Sequence, residues 1–220
     1  AAARNGQLSN PDALHQQVDR MLNDSKAQSF YEGFIGQWAE LDRFDAITVD
    51  PLKYFRFNEG IRLAARREVS EFFKTLVAKN LSVSNLVDSD FVTVNAVLAE
   101  HYGIEGVESD EFQKVSLPAD SPRGGLLTQT AFLVAGSNGE RSSPVIRGAL
   151  VMEKLLHDKP APPPPNVPNF EETEGAASGR RLTTRERMEI HRANPTCNSC
   201  HRFMDPIGLA LDNFDVTGQW

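Results

Sequence analysis

Apolar residues recur at helical spacing through the first two-thirds of the chain. Leu14, Val18, Met21 and Leu22 follow Asn10, a capping residue, and Pro11, which fits a first helical position, so a helix is predicted from residue 11. Ser25 is placed to cap a second helix, with Phe30, Phe34, Trp38 and Leu41 along its stripe. Asn58 opens a third, whose buried face is expected to be Ile61, Ala65, Val69, Phe72, Phe73 and Leu76. Asp90 is expected to cap a fourth, carrying Val94, Val97, Leu98 and His101. Phe112 to Leu117 alternates as a short strand does, and residues 124–135 are small, apolar and predicted to be buried. Pro144 begins another helix, through Val145, Leu150, Val151 and Leu155.

The pattern then changes. Six prolines fall within residues 160–168, a composition that excludes helix and central strand and predicts polyproline II. At about 3.1 Å per residue this strap would span roughly 28 Å. Residues 171–179 are small, polar and expected to be mobile. Order is predicted to resume at Thr183, where Thr183 and Glu186 form a capping box for a helix carrying Met188 and His191. The expected fold class is mainly α: a helical body over residues 1–122, joined through a proline-rich strap at 160–168 to a small C-terminal segment within residues 123–220.

Composition narrows the possibilities. With 40% hydrophobic residues, 13 of them Phe, the 220-residue chain has enough to build a core. Its net charge of −7 argues against a nucleic-acid or anionic-membrane binder, and no apolar run is long enough to span a bilayer. The start, AAARNGQ, lacks the apolar region of a signal peptide, so an export signal would lie upstream. The end, DVTGQW, has no evident stop, and the sequence is expected to be part of a longer chain.

Both cysteines lie in one string, Cys197-Asn198-Ser199-Cys200-His201. On a helical turn these three ligand-type side chains share a face. Two thiols at that spacing can add to the two vinyl groups of one haem, and the adjacent imidazole can then ligate the iron. Other chemistries compete. A thioredoxin-like redox pair needs a βαβ context, whereas the flanks here are helical and proline-rich. A zinc site needs four ligands, and only His191 stands nearby as a fourth. Coincidence is the third alternative.

The segment Thr184-Arg185-Glu186-Arg187-Met188-x-x-His191-Arg192, the string Asn194-Pro195-Thr196-Cys197-Asn198-Ser199-Cys200-His201 and the run from Met204 to Trp220 resemble the cytochrome-c-like domain of planctomycete-type cytochrome proteins. The stretches 123–129, 142–148 and the proline run resemble the same family, and residues 95–103 resemble the helical domain preceding it. The resemblance implies one covalent haem c held by Cys197 and Cys200, with His201 as the proximal iron ligand. It implies an exported protein, periplasmic or at the cell surface, whose partners are a redox protein or further domains of the same protein. The expected function is electron transfer; the alternative is a haem enzyme of peroxidase or oxidase type, or a module feeding electrons to a catalytic domain elsewhere.

The surroundings of the haem are less defined. The second ring nitrogen of His201 is expected to donate to a carbonyl supplied by the Asp205-Pro206 turn, unless Pro206 simply ends the helix. Only 19 residues follow His201, and their one methionine, Met204, lies a single turn away, where it is expected to pack. The distal ligand is therefore sought at His101 or His191, or outside this chain, the remaining possibility being an open or water-ligated iron. Arg147, Arg141 and Arg202 are candidates to pair with haem propionates. Asp205, Asp212 and Asp215 lack the spacing of a calcium loop and are read as caps and turn residues. No phosphate loop and no catalytic residue set stand out. Because the last segment has few apolar residues, its order is expected to depend on haem.

Overall fold

A computed structural model describes residues 2–162 and 182–220. Its described part is mainly helical. Helices α1 (Pro11–Leu22), α2 (Ala27–Trp38), α3 (Leu41–Ala46) and α4 (Glu59–Ala78) come first, then strand β1 (Phe91–Val94), α5 (Ala96–Tyr102) and β2 (Gln113–Ser116). Helices α6 (Thr130–Ala135), α7 (Pro144–Lys154), α8 (Thr184–Arg192) and α9 (Pro195–Ala210) complete the order.

Several starts are where the caps place them. Asn10 accepts from the amides of Asp12 and Ala13, Asn58 from that of Ile61, and Thr183 and Glu186 form the reciprocal capping box. Two elements differ from the sequence reading. Residues 91–94 are not part of a helix capped by Asp90; they form β1, antiparallel to β2 with Phe91 opposite Ser116 and Val94 opposite Gln113. Val92, Thr93 and Val94 are β-branched and suit an extended, buried segment. The cap of α5 is Asn95, which accepts from the amide of Leu98. In α2, Ser25 makes no side-chain cap, and the buried face is Ala27, Tyr31 and Ile35, one position on from the expected stripe. Phe30 and Phe34 stay about half exposed; Phe34 stacks with Phe73 of α4, and Phe30 meets the same ring at a tilt.

One buried cluster, running from Ile35 to Phe214, draws residues from both sides of position 122. Two glycines hold the C-terminal part against it. A β-carbon on Gly148 of α7 would strike the carbonyl of Met204, and one on Gly208 of α9 would strike the carbonyl of Pro144. The pairing 144 with 208 and 148 with 204 makes α7 and α9 antiparallel, backbone against backbone. Helix α9 runs straight through Pro206, which forfeits one hydrogen bond to the carbonyl of Arg202 without ending the helix.

Beyond α9 the chain is threaded into the body. Phe214 and Val216 are buried, so this segment is anchored by apolar packing that its sparse composition conceals. Arg147, fully buried, donates to the carbonyls of Leu211 (2.6 Å), Phe214 (2.7 Å) and Asp215 (2.6 Å). Arg123 donates to Thr128 and Gly218 and lies over the Tyr102 ring, 3.7 Å from its centroid. Asp215 accepts from the amides of Thr217 and Gln219, the turn role expected of it. Of the proline strap, residues 163–168 lie outside the described residues, as do 171–179. No helix among the described residues is long and apolar enough to cross a membrane.

Candidate functional site

Asn194 caps α9 by accepting from the amide of Thr196, and Pro195 occupies its first position. Cys197, Cys200 and His201 therefore sit within the first two turns of α9 and share a face. All three line one cavity of about 320 Å³. Its wall is mostly apolar: Val145 and Ala149 from α7, Met204 from α9, and Pro160 and Pro162 from the residues that follow α7. Glu153 and Lys159, paired at 3.0 Å, form a polar edge, and His191 from α8 closes another side. Both cysteines are free thiols, partly buried.

The orientation of His201 is set by Asp205, one helical turn on. The Nδ1–H of His201 donates to Oδ1 of Asp205 at 2.8 Å, and Asp205 is fully buried. A carboxylate fixes the tautomer: the proton is on Nδ1 and the lone pair is on Nε2. The partner expected from sequence was a carbonyl of a turn; it is a side-chain carboxylate, in a helix that does not turn there. Its other oxygen, Oδ2, has no hydrogen bond, and the nearest cation is Arg192 Nε at 3.7 Å.

His191 meets His201 edge to face, with ring centroids 4.6 Å apart. Partial burial, and then the neighbouring His201, push its pKa below the usual histidine value. His101 lies elsewhere. It is buried, lines two different cavities, and its Nε2–H donates to the carbonyl of Thr217 at 2.8 Å. Burial lowers its pKa, so it serves as a neutral hydrogen-bond donor holding the C-terminal segment.

The arginines proposed for propionates are not in this cavity. Arg147 is spent on the carbonyls of residues 211–215; burial draws its pKa down to about 10, which leaves it charged at neutral pH. Arg202 is exposed and lies over the ring of Phe203, 4.4 Å from its centroid. Arg141 is exposed and does not line the cavity. The cation that does reach the rim is Lys159, which the sequence reading passed over; its position between α7 and the proline run was the available signal. Met204 is buried and contributes to the wall, as packing.

The donor set fits a haem better than a lone ion. Among the described residues, no three His, Cys, Asp or Glu side chains converge to hold a metal by themselves. Two thiols and one imidazole with a free Nε2, spread along an apolar wall, match a flat macrocycle anchored at several points.

Fold and site thus define a mainly helical module with a Cys-x-x-Cys-His cavity against its second-half helices. Residues 1–104 match the family model PSD4, protein of unknown function (DUF1592), and residues 123–220 match PSCyt3, protein of unknown function (DUF1588). The two matches support a planctomycete-type cytochrome-domain family for this chain, and the PSCyt3 name points to a cytochrome-like module. No curated protein and no solved structure gives a significant match.

Proposed function

We propose that this chain is a c-type cytochrome module that carries one covalent haem c and passes electrons within a larger exported protein. The carrying observation is that Cys197, Cys200 and His201 line one apolar-walled cavity while Asp205 accepts the hydrogen bond from the Nδ1–H of His201. Bound there, haem would supply a one-electron ferric–ferrous couple. The protein's part is to attach, orient and insulate. Cys197 and Cys200 would form the thioethers, and His201 Nε2 would be the proximal ligand. Val145, Ala149, Met204 and the two prolines would shield the bound group from water. Lys159 at the rim is the residue placed to meet a propionate, provided it exchanges its pairing with Glu153. Of the two histidines considered for the distal side, His191 is favoured, because it lines the cavity and His101 does not.

Thioethers of this type form outside the cytoplasm, which supports a periplasmic or cell-surface location. The electron partner is then a redox protein or another domain of the same polypeptide. A second reading, a haem enzyme, is favoured by the carboxylate on His201, since a more basic proximal imidazole pushes electron density toward a bound oxidant. The optical spectrum of the matured protein tests the choice. Low-spin iron indifferent to carbon monoxide and cyanide supports electron transfer; high-spin iron that binds them supports the enzyme.

A further inference from the structure

We infer that Asp205 and Arg192 together set the reduction potential of the site, with Asp205 as the positioning residue that makes His201 a strongly donating ligand and Arg192 as its opposing charge. The inference rests on the proposed haem attachment and adds its control. Three observations carry it. Asp205 is fully buried yet stands on a helix whose neighbouring positions 202 and 203 are exposed, so its carboxylate is aimed inward. One of its oxygens is taken by the Nδ1–H of His201 at 2.8 Å. The other is buried without a hydrogen bond. A buried carboxylate whose second oxygen goes unmatched is costly to keep for stability alone. It is the arrangement expected where the carboxylate's one hydrogen bond is directed at His201.

The physical consequence has a sign. A carboxylate accepting the Nδ1 proton draws that proton toward itself and increases the electron density on Nε2. A more basic axial ligand stabilises ferric over ferrous iron and lowers the potential. Arg192 Nε lies 3.7 Å from the unmatched oxygen, close enough to offset part of its charge without forming a hydrogen bond. Arg192 is the last residue of α8, the helix that carries His191, and Asp205 belongs to α9. The balance of charge behind His201 is therefore set by how α8 docks against α9. A partner or neighbouring domain that draws Arg192 away would lower the potential, and one that presses it closer would raise it.

The test uses the full chain matured with haem in an exporting host, and reads the midpoint potential by optical redox titration at one pH. Asp205→Asn keeps an oxygen able to accept from Nδ1 but removes the charge, and its potential is expected to rise. Arg192→Gln removes the opposing charge, and its potential is expected to fall. Thioether attachment, read by mass, is expected to be unchanged in both. Opposite shifts are the signature, because a merely structural role would move both variants the same way. If Asp205→Asn does not fold, Arg192→Gln carries the test alone, since its side chain is partly exposed. Potentials that stay put, or shift in the same direction, overturn the role given to this pair. A wild-type protein without covalent haem overturns the cytochrome reading itself, a different result read in a different assay.

Discussion

The imidazoles of His191 and His201 touch edge to face across the junction of α8 and α9, their centroids 4.6 Å apart. Two imidazoles ligating one iron must stand farther apart, with the macrocycle between them. Haem insertion with His191 as distal ligand therefore requires the His191 ring to turn out of this contact, while Arg192 at the end of α8 stays beside Asp205. His101 has no such route, because its Nε2–H is committed to Thr217 and it lines other cavities. Alanine at position 191 is expected to turn low-spin iron high-spin and open it to carbon monoxide. His101→Gln, which preserves a donor toward Thr217, is expected to leave the spectrum unchanged. A low-spin, carbon-monoxide-insensitive His191→Ala protein would assign the distal position to a methionine or to a domain or partner outside this chain.

Glu68 supplies a pH dependence that has nothing to do with haem. It is fully buried, accepts from the Tyr102 hydroxyl at 2.6 Å, and leaves its second oxygen unpartnered. Burial raises its pKa from about 4.5 to about 8, outweighing the opposing effects of Tyr102 and Arg123. At neutral pH the folded chain keeps this group protonated while the unfolded chain ionises it. Folding takes up a proton between those two values, so stability is fully present below about pH 4.5 and declines as pH rises to about 8. The limiting slope is about 1.4 kcal/mol per pH unit. Urea unfolding at several pH values should show this decline in the wild type and a flatter profile in Glu68→Gln. Parallel profiles would mean that Glu68 ionises freely in the fold.

The glycine contacts between α7 and α9 predict a contrast among three similar substitutions. Gly148→Ala and Gly208→Ala each drive a methyl into a backbone carbonyl that cannot rotate away. Each is expected to cost about 3 kcal/mol, the upper end for overpacking, and to reduce haem attachment by displacing α9 from the cavity. Gly33→Ala lies inside α2 with nothing within 4 Å of the added methyl. It is expected to stabilise by about 0.5–1 kcal/mol through helix propensity. Thermal melts of the three variants check the sign in each case; equal effects would contradict the close helix crossing.

Most of what the sequence made legible was local. Asn10, Asn58 and the Thr183–Glu186 box mark helix starts because a cap needs only residues a few positions apart. Trp38 and Leu41 of the expected α2 stripe do pack against the core, but its first half is displaced because Phe30 and Phe34 compete with Tyr31 and Ile35, and an apolar helix with two candidate faces does not say which one packs. Arg147 was read as an anion partner; its actual role depends on carbonyls more than sixty positions away, which no spacing rule reports. Asp205 was the nearer miss. It stands four residues after His201, on the same helical face, and taking Pro206 as a turn hid that relation. The trio Cys197, Cys200 and His201 could be grouped from spacing alone, while the wall they face, built from α7 and the residues that follow it, could not.

The most direct test of the account is the intact mass of the full chain, expressed with an export signal alongside a c-type maturation system and then denatured and extracted with acidified acetone. The account predicts one haem added to the polypeptide mass, retained through extraction and lost in the Cys197→Ala, Cys200→Ala double variant. A bare polypeptide mass from protein matured in this way, or haem released completely by the extraction, would contradict it.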